Sequence, residues 1–309
     1  MKRKPTLFFH KTGSETDPEN AGGLTGKPSP KTARAALDLV IKTRWQDATT
    51  YLRLQKDLLK HCQISGRVYV IVPRPHQRYF RRLVAEPFIL ISSEEILEAS
   101  GYRSSLADTW VTQQIVKLLA YSVVPNDQFF VLDSNTLLGF DFDEKFFWRK
   151  SRYVYGIGDF SDIAWELQSR NLLKVERPSH LLGFRAVNQI LIKQNVRALL
   201  RHLESLYADD AIATLLRKAD PHRAANWTEF TLYGVFCQCV LPKPNHHFEV
   251  RRDLLSFSFG MEFEKFLIQV EKERPLMIKF YKRRPTYLIS DTAYKRYVAQ
   301  IKQRYVGKR

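Results

Sequence analysis

The stretch Gln128-Phe129-Phe130-Val131-Leu132-Asp133 runs from an amide to a carboxylate through four apolar residues. A near-continuous apolar run of this length predicts a strand buried on both faces, as in a parallel sheet. The run ends in the polar turn Ser134-Asn135. A carboxylate followed two positions later by an amide oxygen can hold one cation, although an ordinary capped turn has the same sequence. This strand end is the first candidate for a functional site.

Three other apolar runs precede this strand and alternate with helical patterns. They are Leu37 to Thr43, Arg67 to Pro73 and Phe88 to Ile91, with helical periodicity over 48–62 and about 105–121. The alternation predicts a mixed α/β fold in which helices flank a mostly parallel sheet. Ligands of such sheets bind beyond the carboxyl ends of the strands. One crevice is therefore expected to gather Thr43-Arg44, Pro73-Arg74 and Asp133-Ser134-Asn135.

The composition divides the chain into four segments. Residues 1–34 are rich in Gly and Pro and lack an apolar period, which is typical of a flexible arm. Residues 35–150 carry the alternation, including a capped helix start at Ser92-Ser93-Glu94-Glu95. Residues 151–265 show mainly helical patterns, over 186–207 and 209–218, and an aromatic stretch over 230–236. We expect this third segment to complete the domain, and residues 266–309 to form a basic, helical C-terminal part.

The positive charge is concentrated at the C-terminal end. The 309 residues carry a net charge of +17, and residues 265–309 contain thirteen Lys or Arg against three acids. Within them an apolar stripe at helical spacing predicts a basic amphipathic helix, formed by Tyr294, Tyr297, Val298, Ile301 and Tyr305. Such a helix suits a solvated surface, an anionic lipid surface or a nucleic-acid contact, and charge alone leaves all three open.

Composition and absent motifs exclude several classes of protein. With 44% hydrophobic and 26% charged residues the chain is globular, and three cysteines imply no disulfide framework and fit a reducing compartment. No apolar run is long enough to span a membrane, and the first ten residues do not form a secretory signal. There is no phosphate loop, dinucleotide fingerprint, zinc-protease motif or serine-hydrolase elbow. We expect a cytoplasmic protein.

Two helical segments add polar candidates. The helix before the strand end carries Gln113, Gln114 and Lys117, of which the first and last share a face that points toward a pocket or toward water. Glu229 and Tyr233 have the same spacing farther along. A carboxylate there can deprotonate an acceptor hydroxyl, or it can be an acidic residue favoured by the helix dipole.

A cysteine and histidine cluster raises the question of zinc. Cys237 and Cys239 precede His246-His247, and two thiolates with two imidazoles form an acceptable ligand set. A single residue between the cysteines is not the usual spacing, and cysteine is readily buried as a small apolar side chain. The sequence therefore favours burial.

Three motifs in order resemble a known group: Trp110-x-x-Gln113-Gln114-x-x-Lys117-Leu118, then Leu132-Asp133-Ser134-Asn135-Thr136, then Glu229-Phe230-x-x-Tyr233-Gly234. Together they are similar to bacterial glycosyltransferase-like proteins with the GT-A nucleotide-sugar fold, associated with surface-polysaccharide or lipopolysaccharide genes. The resemblance spans about residues 36–300. It implies transfer of a sugar from a nucleotide-diphosphate donor to a glycan, lipopolysaccharide or lipid-linked acceptor. The segment 35–150 would bind the donor, and 151–265 would form the acceptor side.

The resemblance also implies roles for individual residues. Asp133 and Asn135 stand where GT-A enzymes carry an Asp-x-Asp motif for Mn or Mg, and a histidine, His247 or its neighbour, would be a late ligand. Because Asn135 brings no charge, metal dependence stays open. Glu229 would be the acceptor base, with Asp133 as its catalytic partner on the donor side. The implied nucleotide- and substrate-binding residues are Thr43, Arg44, Arg74, Gln113, Gln114, Lys117, Ser134 and Tyr233.

Two alternatives stay open at this point. A non-catalytic nucleic-acid-binding protein would explain the net charge and the basic, aromatic run from Tyr281 to Tyr287, but it leaves the acidic strand end unexplained. A protein that binds sugar nucleotides without transferring them would explain Asn135. For an enzyme, the basic C-terminal segment predicts peripheral attachment to an anionic membrane at the inner face of the cell membrane, and nucleic acid is then disfavoured as a partner.

Overall fold

The structure is a computed structural model that describes residues 36–102, 109–138, 141–149, 152–156, 163–176, 188–219, 227–241, 247–250, 256–259 and 277–280. The predicted arm and the predicted C-terminal amphipathic helix lie outside these residues, as does His246. Within the described ranges, no helix combines the length and the apolar character that a membrane crossing requires.

The described residues form thirteen strands and eight α-helices. The strands are β1 Leu37–Lys42, β2 Cys62–Gln63, β3 Val68–Val72, β4 Ile89–Ser92, β5 Gln128–Asp133, β6 Thr136–Leu138, β7 Phe142–Asp143, β8 Trp148–Arg149, β9 Arg152–Gly156, β10 Gln189–Ile192, β11 His247–Val250, β12 Ser256–Phe259 and β13 Met277–Phe280. The helices are α1 Ala48–His61, α2 Arg74–Phe80, α3 Ser93–Ala99, α4 Trp110–Leu119, α5 Ile163–Leu173, α6 Lys193–Tyr207, α7 Ala211–Arg217 and α8 Glu229–Cys239.

The central sheet has the order β10-β5-β1-β3-β4. Strands β1, β3, β4 and β5 are parallel, and β10 lies antiparallel at the edge beside β5. Each parallel strand matches an apolar run in the sequence. The mixed α/β class and the mostly parallel sheet flanked by helices are thus confirmed. Three small sheets surround this one, β11-β9-β8, β12-β13-β6 and β2-β7.

Both faces of the central sheet are covered, which explains why its strands are apolar at nearly every position. Leu39 and Ile41 of β1 point into a core that includes Tyr51 and Leu54 of α1. Val40, between them, joins the opposite core, which is built with α4, α6, α7 and α8. Successive side chains of a strand point to opposite faces, so a strand between two cores has no solvent side.

Capping and turn chemistry define several element ends. The start predicted for α3 is confirmed, because Ser92 Oγ accepts from the Glu95 amide at 3.0 Å while a Glu95 carboxylate oxygen accepts from the Ser92 amide at 2.6 Å. At the other edge of the sheet, buried Asp38 accepts hydrogen bonds from the amide of Arg67 and from the backbone and side chain of Asn126. Neutral donors therefore satisfy this carboxylate inside β1.

The helix predicted over 186–207 is wrong in its first part. Residues Gln189–Ile192 form strand β10, and α6 begins only at Lys193. The apolar residues of a four-residue strand continue directly into the apolar stripe of the helix, and periodicity alone does not separate a short buried strand from a helical turn. Strands β9, β11 and β12 likewise occupy residues 151–265, which were expected to be mainly helical.

Candidate functional site

A crevice is expected where the strand order of the central sheet reverses. From β1 the chain builds outward through β3 and β4, and it then returns to place β5 on the other side of β1. Ligands of open α/β sheets bind at such a reversal, beyond the carboxyl ends of the strands. Lys42, the last residue of β1, is directly opposite Asp133, the last residue of β5. Thr43-Arg44 and Asp133 therefore flank the same point of the sheet edge.

Three charged side chains meet at this edge and form what we call the ion cluster: Lys117, Asp133 and Glu229. The Lys117 ammonium donates to an Asp133 carboxylate oxygen at 2.5 Å and to a Glu229 carboxylate oxygen at 2.8 Å. The side chains of Lys117 and Glu229 are 7% and 1% exposed, whereas that of Asp133 is 16% exposed. Asp133 is thus the member of the ion cluster that faces outward.

Local structure fixes each member of the ion cluster. Lys117 lies in the last turn of α4, where its ammonium also lies 5.5 Å from the centre of the Phe230 ring. Glu229 is the first residue of α8, whose start is capped by Thr228, and a carboxylate in that position is favoured by the helix dipole. The Asp133 amide donates to the Asn188 side-chain oxygen at 2.9 Å.

Burial and mutual attraction set the protonation of the ion cluster. Burial lowers the pKa of Lys117, but the charges of Asp133 and Glu229 outweigh burial, so the pKa lies above its ordinary value. Burial raises the pKa of Glu229, and Asp133 adds to this while Lys117 opposes it. The second carboxylate oxygen of Glu229 finds no hydrogen-bond partner among the described residues. Glu229 therefore takes up a proton more readily than an exposed glutamate does.

The residues at the strand end do not fit the predicted metal site. The Lys117 ammonium already occupies the position between Asp133 and Glu229 where a metal would place its charge. His247 lies elsewhere, because its ring nitrogen Nε2 is 2.7 Å from the hydroxyl of Tyr233. Across the described ranges, no three or more His, Cys, Asp or Glu side chains are arranged to hold a metal ion. The described side chains therefore do not fit a metal ion shared by Asp133, Asn135 and His247, and we derive no step through one.

Tyr233 belongs to a buried hydrogen-bond network and not to the crevice. Its hydroxyl accepts from the Ile192 amide at 3.1 Å and from the Asn195 side chain at 3.2 Å. With both acceptor positions used, the hydroxyl proton is donated to His247 Nε2. Although Tyr233 lies one turn from Glu229, its hydroxyl serves the protein interior.

The two predicted arginines lie at the same sheet edge but have different partners. Arg44 follows β1 and pairs with Asp47 at 3.1 Å, leaving its side chain 35% exposed. Arg74 begins α2 after β3 and pairs with Glu98 of α3 at 2.7 Å, over the β3 and β4 half of the sheet. Arg44 is thus beside the crevice, and Arg74 is held away from the ion cluster.

The remaining predicted residues surround the ion cluster. Thr43 is buried, and its hydroxyl oxygen has no hydrogen-bond partner within the described part of the chain. Ser134 is buried and Asn135 half-buried in the turn between β5 and β6. Gln114 is buried, and its side-chain nitrogen donates to the Trp110 carbonyl at 3.2 Å, whereas Gln113 is half-buried.

Two residues of the site, Lys42 and Asn188, were not predicted from the sequence. Lys42 is only 5% exposed, and its ammonium donates to the Thr43 carbonyl at 3.2 Å. A lysine that ends an apolar strand is the sequence signal for it. Asn188 has a φ of +30° and bonds both the Asp133 amide and the Thr136 hydroxyl. Asparagine tolerates the left-handed region better than most residues, but nothing in the sequence links Asn188 to β5.

The fold and the site define a mixed α/β protein with a cluster of charged side chains at the reversal point of a mostly parallel sheet. Residues 35–250 match the model of a family of unknown function, DUF6492, and the chain belongs to that family. No curated protein matches the sequence.

Several solved glycosyltransferase structures are similar to this one. The apo form of mouse xyloside xylosyltransferase 1 is 12% identical with a TM-score of 0.47, covering 81% of this chain and 99% of that one. The galactosyltransferase LgtC in complex with donor and acceptor sugar analogues is 10% identical with a TM-score of 0.46, covering 86% of this chain and 95% of that one. The glycosyltransferase GlyE of Streptococcus pneumoniae TIGR4 is 11% identical with a TM-score of 0.48, covering 89% of this chain and 64% of that one. None of them assigns an activity to this chain.

Proposed function

We propose that this protein is a glycosyltransferase that moves a sugar from a nucleotide-diphosphate donor to a surface-glycan, lipopolysaccharide or lipid-linked acceptor. The observation that carries the proposal is Asp133, a partly exposed carboxylate at the carboxyl end of β5, beside the end of β1 and fixed by Lys117. A carboxylate held at this point can accept hydrogen bonds from the hydroxyls of a donor sugar or ribose.

The positive charge for the leaving diphosphate would come from side chains. Lys42 and Arg44 lie at the end of β1, next to Asp133, and can stabilise the negative charge that develops on the diphosphate. Lys117 is committed to two carboxylates and would position Asp133. Glu229 is buried and would keep the Lys117 ammonium in position. It could act as the acceptor base only if its ion pair with Lys117 opened.

Binding of the donor is the first test. A thermal-shift panel of UDP, GDP, CMP and their sugars, run in EDTA, should show one nucleotide sugar that raises the melting temperature. Asp133→Asn should lose this stabilisation. Asp141→Asn, which changes an exposed carboxylate paired with His61, should retain it. If no nucleotide sugar stabilises the protein, or if Asp133→Asn responds like the wild type, the proposal is refuted.

A second candidate is a protein that binds the sugar nucleotide without transferring the sugar. It is favoured by the burial of Glu229, which leaves no exposed carboxylate base in the ion cluster besides Asp133. The donor found in the panel should be incubated with lipid-linked and lipopolysaccharide acceptors. Labelled product that disappears in Asp133→Asn supports transfer, and tight binding without product supports the second candidate.

Peripheral membrane attachment through residues 266–309 stays a separate proposal. Several basic residues near an anionic surface contribute about 1 kcal/mol each, so attachment should weaken with salt. Sedimentation with anionic vesicles in low and high salt tests it. If the protein does not sediment with the vesicles in a salt-dependent way, this part of the proposal is removed.

A further inference from the structure

A cavity lies at the opposite edge of the central sheet from the ion cluster. It has a volume of about 590 Å³ and is lined by the start of β5, the end of β10 and one side of α6. Gln128 and Asp133 are at opposite ends of β5, and a strand rises about 3.3 Å per residue, which separates the two sites by about 16 Å along the strand. The cavity is therefore distinct from the crevice at Asp133. Its volume lies within the range of pockets that bind small molecules.

Four cationic side chains line this cavity, which we call the basic cleft: Lys193, Arg197, Arg201 and Arg152. The first three follow one another at intervals of four residues on α6, so they form one stripe, and the fourth comes from β9. Among the described residues, Asp127 is the one acidic residue of the lining. Within the described residues no ion pair joins any of the four cations to a carboxylate. The basic cleft thus holds an excess of positive charge.

This arrangement opposes the stability of the protein unless an anion is bound. Like charges four residues apart on a helix repel each other. Burial lowers the pKa of Lys193, Asp127 opposes this, and Arg197 lowers the pKa further. Arg197 is oriented by the Tyr121 ring, 5.4 Å from its guanidinium carbon. Arg197 and Arg201 are exposed, so this stripe of cations is a positive surface that an anion can reach.

The opposite wall is aromatic. Trp148 of β8 faces Tyr153 of β9 in the antiparallel register, and their rings make an edge contact with centroids 4.6 Å apart. Both line the basic cleft. A ligand there can place phosphate oxygens against the guanidinium groups and a ring or chain against the aromatic wall.

We infer that the basic cleft is a second binding site, which takes a ligand carrying a phosphate or diphosphate group. Arginine forks match the oxygens of phosphate, and two of them with Lys193 can surround a diphosphate. The group can belong to a soluble phosphate compound or to a phospholipid headgroup. This site is independent of the proposed donor site, because the two share no residue.

Calorimetric titration with inorganic pyrophosphate and sedimentation with phosphatidylglycerol vesicles test the inference on the full chain. The double variant Arg197→Gln/Arg201→Gln should weaken binding by roughly tenfold or more. Arg152→Gln, on a different element, should weaken it severalfold. The matched control Arg81→Gln/Arg82→Gln removes the same charge from exposed positions after α2 and should bind like the wild type. Circular dichroism of each variant checks that the fold is retained.

The outcomes separate the ligand sources and the two sites. Pyrophosphate binding that depends on Arg197 and Arg201 identifies a soluble ligand, and vesicle binding with the same dependence identifies a headgroup. Asp133→Asn should leave either unchanged, so failure of the donor site does not affect this result. Equal loss of binding in Arg197→Gln/Arg201→Gln and in the control Arg81→Gln/Arg82→Gln would show that only net charge matters, and it would overturn the inference. Unaltered binding in Arg197→Gln/Arg201→Gln would also overturn it, as would the absence of binding in both assays.

Discussion

The carboxyl and amino edges of the central sheet differ in how their charged side chains are paired. At the carboxyl edge the ion cluster places one buried ammonium between two carboxylates, within 2.8 Å of each. At the amino edge the basic cleft holds four cations with one acidic residue in the lining. Buried charges persist only when they are paired, whereas exposed charges are solvated by water. The ion cluster is therefore part of the folded structure, and the basic cleft is a surface for something else to neutralise.

The largest effect is expected from removing the cation of the ion cluster. Lys117→Met leaves two carboxylates facing each other in a buried site, and breaking a buried ion pair destabilises by about 3 to 5 kcal/mol. Urea denaturation measures the change in the free energy of unfolding. The control Lys56→Met makes the same replacement at an exposed position of α1 and should have little effect. A Lys117→Met protein as stable as this control would show that the ion cluster does not contribute to folding.

A smaller effect is expected in the buried hydrogen-bond network of Tyr233. Tyr233→Phe removes a hydroxyl that has three partners, and leaving buried donors and acceptors unpaired costs about 1 to 3 kcal/mol. The control is Tyr79→Phe, because Tyr79 is 38% exposed and its hydroxyl contacts Arg78. Thermal and urea denaturation should both separate the two variants, and similar melting temperatures would contradict the assigned network.

The sequence predicts the sheet well because its signals are local. The run from Gln128 to Asp133 is observed as a strand with the same bounds, and the capped start at Ser92 is found as expected. Each depends on neighbouring residues alone. The strand β10 was missed because four residues carry too little periodicity to oppose the helix that follows.

The site was only partly predictable because its contacts are distant in sequence. Lys117 and Glu229 meet across 112 positions, and Asn188 reaches Asp133 across 55. The geometry of parallel strands brought Thr43 and Asp133 to one edge in the prediction. No sequence pattern indicated that Lys117 would pair with both Asp133 and Glu229, because this depends on how α4 and α8 pack against β5.

Glu229 of the ion cluster should make the stability of the protein depend on pH. The pKa of Glu229 is raised in the folded protein, so the folded state holds its proton more tightly than the unfolded state does. Protonated Glu229 therefore contributes stability, which is fully present below the ordinary pKa of 4.5. This contribution declines as pH rises through the pKa of Glu229 in the folded protein. Glu229→Gln should remove this decline while changing the free energy of unfolding by only about 1 kcal/mol at neutral pH, since the amide still accepts from Lys117.

Denaturation of wild type and Glu229→Gln from pH 4 to 8 measures this difference. The stability of the wild type relative to the variant should fall as pH rises from about 4.5. A difference that stays constant with pH would mean that Glu229 titrates normally. At alkaline pH, Lys117 decides how stability changes with pH in both proteins. Its pKa is raised in the folded state, so the stabilisation that it contributes is complete below 10.5 and is lost as pH rises through the folded value.

The smallest effect on stability is expected at the amino edge, where the charges are not paired with one another. Arg197→Gln/Arg201→Gln should leave the free energy of unfolding within about 0.5 kcal/mol of the wild type. Relief of repulsion along α6 favours the variant by about 0.2 to 0.5 kcal/mol per like-charged pair, against which stands the lost contact between Arg197 and Tyr121. Denaturation in low and high salt separates these contributions, because salt screens the repulsion and leaves the ring contact largely intact. A loss of stability as large as that of Lys117→Met would mean that the cations of the basic cleft hold the fold together, and the contrast between the two edges would then fail.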